Sequence, residues 1–187
     1  DGDEYALGAA TGKLKWKRYL GVGPGKPGTD CRPYGITSAA TVQKGVVYVG
    51  GGTPFWYALN AKTGAILWRV RTGASDPTGK YYNWSSPLAF GRYAYIGVAS
   101  HCDIPLVQGK LLQVDIGRHR IVRAFDVVPS GQLGGGIWTS PSLDTATGAI
   151  YVTTGNEGRA PAVAQPFTRA VVALNGMMKV TSAWQLP

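Results

Sequence analysis

Apolar and polar side chains alternate at every second position in short runs parted by Gly-rich turns, and helical spacing is nowhere sustained. The clearest stretch predicts four strands at 37–43, 45–51, 56–60 and 65–72. Its last two are joined by a tight Ala-Lys-Thr-Gly turn in which Gly64 is free to take positive φ. The fold class expected is all-β.

The pattern repeats. Tyr5-Ala-Leu-Gly-Ala-Ala-Thr-Gly-Lys-Leu-Lys-Trp16 returns as Tyr57-Ala-Leu-Asn-Ala-Lys-Thr-Gly-Ala-Ile-Leu-Trp68. Looser copies run from Gln113 to Arg123 and from Val172 to Trp184. Leu7, Leu59, Val114 and Leu174 hold the same place at spacings of 52, 55 and 60. Between them lies a second phrase, Ile36-Thr-Ser-Ala, Trp84-Ser-Ser-Pro and Trp138-Thr-Ser-Pro, before an apolar strand. Four strands recurring at about 40–50 residues predict the antiparallel blades of a β-propeller rather than a sandwich. A half blade is expected at 1–20 and whole blades at 29–75, 83–129 and 135–187. Three and a half blades cannot close a ring that needs about 4–8. The chain is therefore expected to be part of a larger propeller, completed by further blades or another protein chain.

Composition narrows the function classes. Among 187 residues, 19 Lys+Arg against 10 Asp+Glu give a net charge of +9, yet the positive residues are scattered along the sequence, so nucleic acid is an improbable partner. No apolar run reaches the roughly 18 residues of a membrane helix, so no transmembrane segment is expected. Gly23-Pro-Gly-Lys-Pro-Gly28 has the spacing of a dinucleotide loop, but Pro24 and Pro27 forbid the helix that must follow it. His119, between Arg118 and Arg120, reads as a solvated turn residue. Asn83-Trp84-Ser85 has the spacing of a glycosylation sequon, inside a strand-leading phrase.

The phrase Ala-x-[Asn/Asp]-x-x-Thr-Gly-x-x-x-Trp resembles the blade signature of the quinoprotein alcohol dehydrogenase-like, or PQQ-like, β-propellers, a family of enzymes and non-enzymes. The resemblance covers nearly the whole chain. It implies that Trp16, Trp68 and Trp184 dock against neighbouring blades, whereas the third copy carries Arg123 in that place. It also implies roles for the segment around Gly134-Gly-Gly-Ile-Trp138 and Gly155-Asn156. There the family stacks pyrroloquinoline quinone (PQQ) on a Trp and binds calcium through an Asn 18 residues later, the separation of Trp138 and Asn156. Asp103 is the nearest match to the family's calcium-binding Glu, one carbon shorter. A flat conjugated cofactor suits an aromatic face, and Ca²⁺ suits hard oxygen ligands. Trp84, one blade earlier, offers the alternative that Trp138 is only a repeat feature.

Two departures weigh against a complete site. The family's adjacent cysteine pair is represented by Cys31 alone, followed by Arg32, and its catalytic Asp is expected beyond Pro187. A disulfide between Cys31 and Cys102 is expected to tie adjacent blades, which points to an extracellular or periplasmic, cell-envelope location of bacterial type. Two buried free thiols are the alternative. The reading preferred on sequence is a non-catalytic scaffold or binding module for a protein, glycan or small molecule. The alternative is a fragment of a PQQ- and calcium-dependent alcohol or polyol dehydrogenase.

Overall fold

The computed structural model describes residues 1–74, 80–158 and 163–186. The blade limits expected at Ser75 and Pro187 thus fall outside the described residues. Every regular element described is a β-strand. β1 (Asp3–Leu7) and β2 (Leu14–Tyr19) form a two-stranded sheet, followed by β3 (Thr41–Gln43), β4 (Val46–Gly50), β5 (Phe55–Asn60) and β6 (Ile66–Arg71) in sequential antiparallel order. The next sheet holds β7 (Tyr81–Tyr82), β8 (Leu88–Phe90), β9 (Tyr93–Ser100), β10 (Lys110–Asp115) and β11 (Arg120–Asp126). The last holds β12 (Ser142–Leu143), β13 (Ile150–Thr153), β14 (Ala170–Leu174) and β15 (Val180–Gln185).

The sheets stack face to face in chain order, and strand periodicity makes this possible. Val47, Val49, Tyr57 and Leu59 on one face of the second sheet pack with Trp16 and Leu20 of the first. Tyr48, Trp56 and Ala58 on its other face pack with Ala94, Ile96 and Val98 of the third. Tyr95 and Leu111 then join Ile150, Val152 and Val172 of the fourth. Central strands buried on both faces are what successive propeller blades require. The chain is a partial β-propeller.

The innermost strands are shorter than the apolar pattern suggests. β7 and β8 pair with opposite ends of β9 and are parted by Asn83, Trp84, Ser85, Ser86 and Pro87. Pro87 has no N–H for a ladder, and the Ser85 hydroxyl instead accepts from the Gly97 N–H at 3.2 Å. The break frees Trp84 from the sheet. Asn83 is buried, its amide donating to the Thr53 and Phe55 carbonyls at 3.0 Å each and accepting from the Thr72 hydroxyl at 2.8 Å. In the folded chain the Asn83 sequon is closed to glycosylation.

Blade contacts repeat one geometry. Trp16 donates to the Ala61 carbonyl at 2.9 Å and lies over Gly64, whose φ is 67° and whose place leaves no room for a side chain under the ring. One blade on, the same position is His119, also at positive φ, and its ring stacks on Trp68 with centroids 5.0 Å apart. His119 is exposed in the turn, as expected, and also makes an interblade contact. At the third junction Arg123 donates to Gln113 at 2.7 Å, and Gln113 donates to the Gly176 carbonyl at 3.2 Å, the place Ala61 holds for Trp16. A buried amide relay thus takes over the bond of the missing indole. Trp184 is 60% exposed; among the described residues no blade lies beyond its strand to receive it.

Candidate functional site

The Gly-rich segment before Trp138 is held from both sides. Gly134 donates to the Val107 carbonyl at 2.9 Å and accepts from Gly109 at 2.9 Å. On the other side Gly135 donates to the Asn156 carbonyl at 2.7 Å, and Gly155 donates to Gly136 at 2.8 Å. Ile137 donates to the Val98 carbonyl at 3.1 Å and is wholly buried. The next side chain, Trp138, is 59% exposed.

That indole faces a cavity of about 350 Å³ whose lining includes Trp84, Ser100, Cys102, Asp103, Trp138 and Asn156. The three residues singled out for a quinone and its calcium therefore share one space, although Asp103 and Asn156 come from different blades. Gly155 forms its floor beside Trp138: a Cβ there would come within 3.2 Å of the indole nitrogen. The Asn156 amide nitrogen donates to the Glu157 carbonyl at 3.3 Å, and its oxygen has no partner among the described residues. Asp103 accepts a short hydrogen bond from the Ser100 hydroxyl. Trp84 also lines the cavity, and its indole donates to the Ser100 carbonyl at 2.9 Å. The two tryptophans of the repeated phrase are thus both wall residues, and only Trp138 is the neighbour of Asn156 through the glycine ladder.

Cys31 and Cys102 form a disulfide, with Cα atoms 5.7 Å apart, and Cys102 reaches the cavity wall. No free cysteine remains among the described residues. Beneath the bridge sits His101, wholly buried, with Nδ1 at 3.9 Å from the Cys31 sulfur and its ring stacked on Tyr82 at 4.9 Å. Sequence reasoning passed over His101; its place beside Cys102 was the one available signal. Burial, then the positive charge of Lys26, lowers its pKa below 6.5, against an opposing hydrogen bond to the Pro24 backbone. The consequence has a definite sign. Below pH 6.5 the unfolded chain takes up a proton that the native imidazole resists, so stability falls as pH drops through that value. Thermal unfolding followed from about pH 8 to about pH 5 should show this slope, flattened in His101→Gln.

Residues 1–126 match the family described as outer membrane protein assembly factor BamB, which is two thirds of the chain. The chain belongs to the PQQ-like β-propeller repeat family. It is 38% identical over 88 residues to quinohemoprotein alcohol dehydrogenase ADH IIB of Pseudomonas putida, covering 43% of this chain and 12% of that protein. Polyvinylalcohol dehydrogenase of Sphingopyxis sp. is 26% identical, over 83% of this chain and 26% of its own length. Among solved structures, quinohemoprotein alcohol dehydrogenase ADHIIG of Pseudomonas putida superposes with a TM-score of 0.75 at 23% identity, across 97% of this chain and 31% of that one. The likeness establishes the fold, and the chain spans less than a third of these relatives.

Proposed function

We propose that the chain supplies one flank of a PQQ- and calcium-binding site in a larger quinoprotein that oxidises alcohols or polyols. What carries this reading is the single cavity shared by Trp138, Asn156 and Asp103, with the interblade disulfide at its edge. It is preferred over the scaffold reading because residues that a scaffold has no need to gather lie together around an exposed aromatic face.

The donor set suits the groups. Trp138 offers an open indole face backed by Gly155, a support for a planar conjugated ring. Asn156 offers an amide oxygen and Asp103 a carboxylate, both hard ligands for Ca²⁺. When bound, the quinone supplies a two-electron acceptor and the calcium a Lewis acid. The part played by this chain is to hold and orient. Trp138 would support the ring, Asn156 and Asp103 would hold the cation, and Ser100 orients the Asp103 carboxylate. The disulfide suits an extracellular or periplasmic location.

The scaffold reading retains one observation in its favour. The matched family segment, residues 1–126, stops short of both Trp138 and Asn156. In that case the blades would present their loops to a protein or glycan.

Calorimetric titration of the full-length parent with PQQ and Ca²⁺ separates the two. Saturable binding is expected, weakened about tenfold or more in Trp138→Ala, since an aromatic stack and its burial contribute on the order of 1–3 kcal/mol. Asn156→Ala should weaken the calcium dependence. A parent protein that takes up no PQQ at any calcium concentration would return the chain to the scaffold class.

A further inference from the structure

The third blade's departure from the repeat builds something at the opposite edge of the sheet from the quinone cavity. Where the second copy reads Thr63, Ala65 and Trp68, this one carries Arg118, Arg120 and Arg123. The turn between β8 and β9 adds Arg92. All four line a separate pocket of about 330 Å³, with Asp115 as its one carboxylate.

Two of these arginines are oriented from behind by buried groups. Arg92 donates through Nε and Nη2 to Asp115 Oδ2 at 3.0 and 2.7 Å, and the Asp115 side chain is only 2% exposed. The other oxygen of Asp115 accepts from the Gly117 and Arg118 backbone N–H groups at 3.1 Å each. Arg123 is held by the wholly buried Gln113 at 2.7 Å. The Arg118 guanidinium approaches Asp115 no closer than 3.8 Å, and Arg120 is exposed. Asp115 is already engaged through both oxygens, so the pocket keeps a surplus of positive charge and unused N–H donors. Guanidinium forks gathered this way repel one another and match the oxygens of a phosphoryl group.

We propose that this pocket binds a phosphate-type oxyanion, either inorganic phosphate or the phosphoryl group of a larger molecule. A water occupies about 30 Å³ in the liquid, so the pocket has space for a phosphoryl group and part of what carries it. The site is independent of the quinone reading; it stands on β10, β11 and the turn before β9.

The test is calorimetric titration of the full-length parent with inorganic phosphate at low ionic strength. Arg118→Ala/Arg120→Ala is the variant of choice, because Arg92 and Arg123 also support buried partners. Affinity should fall about tenfold or more with the loss of charge-assisted bonds. Lys13→Ala/Lys15→Ala, an equal loss of charge at another exposed turn, should leave it unchanged. Absence of phosphate binding at millimolar concentrations, or an equal loss in the lysine pair, overturns the proposal. Sedimentation with phosphatidylglycerol and phosphatidylcholine vesicles identifies the source. Capture by the former that is lost with the arginine pair places the phosphoryl group on a lipid. Response to inorganic phosphate alone places it in solution.

Discussion

Gly109→Ala is expected to destabilise the fold by about 3–4 kcal/mol, although residue 109 neither lines the Trp138 cavity nor belongs to the main core clusters. The added Cβ would lie 1.9 Å from the Gly135 carbonyl oxygen and 2.6 Å from the Gly136 nitrogen, both backbone atoms that no rotamer change can clear. Relief by moving residue 109 is blocked as well. Its N–H donates to Gly134 at 2.9 Å, and its carbonyl accepts from Val127 at 3.0 Å. The segment 134–137 must therefore give way, and with it Ile137 in the core and Trp138 beside it. Denaturant unfolding should show the loss, and PQQ binding by the parent should weaken with it. Gly176→Ala is the control: nothing lies within 4 Å of a Cβ there, so its effect should stay within about 0.5 kcal/mol. If the two alanine variants unfold alike, the close approach of the two blades at Gly109 is wrong.

The repeat was legible because each blade solves the same packing problem with the same residues. Trp16 lies over a turn with no side chain beneath it, Gly64, while one junction on Trp68 instead stacks on the ring of His119, so only the phrase that carries the indoles is repeated in sequence. The third junction was legible only as a gap at Arg123. The compensating signal, Gln113 where the other copies have Ala6, Ala58 and Ala173, becomes meaningful once Gln113 and Arg123 are seen as cross-strand partners. Inner strands were overestimated because apolar alternation continues through residues whose backbone leaves the ladder, as before Pro87. Trp138, Asn156 and Asp103 were linked only through the resemblance to the quinoprotein family. The burial of His101 beneath the disulfide and the addition of Arg92 to Arg118, Arg120 and Arg123 depend on segments from separate parts of the chain, which no local pattern encodes.

Removing the Cys31–Cys102 bridge is expected to cost the fold about 4 kcal/mol, by the chain-entropy relation for a closed loop of this length. The two cysteines are 71 residues apart and link the segment before the second sheet to the loop after β9. With that link cut, the unfolded chain regains the freedom of a long loop, while the native state loses a covalent tie between two blades. For a chain of 187 residues the fall in Tm should be roughly 10 °C. Cys31→Ser/Cys102→Ser and chemical reduction should give the same shift in thermal unfolding. A second effect follows from position. Cys102 and Asp103 both have positive φ and both line the cavity, so loosening their turn should weaken calcium binding before the fold is lost. An unchanged Tm on reduction would mean that the sheet-on-sheet packing of Tyr48, Trp56, Ile96 and Val98 alone holds these blades together, and that the bridge adds nothing to it.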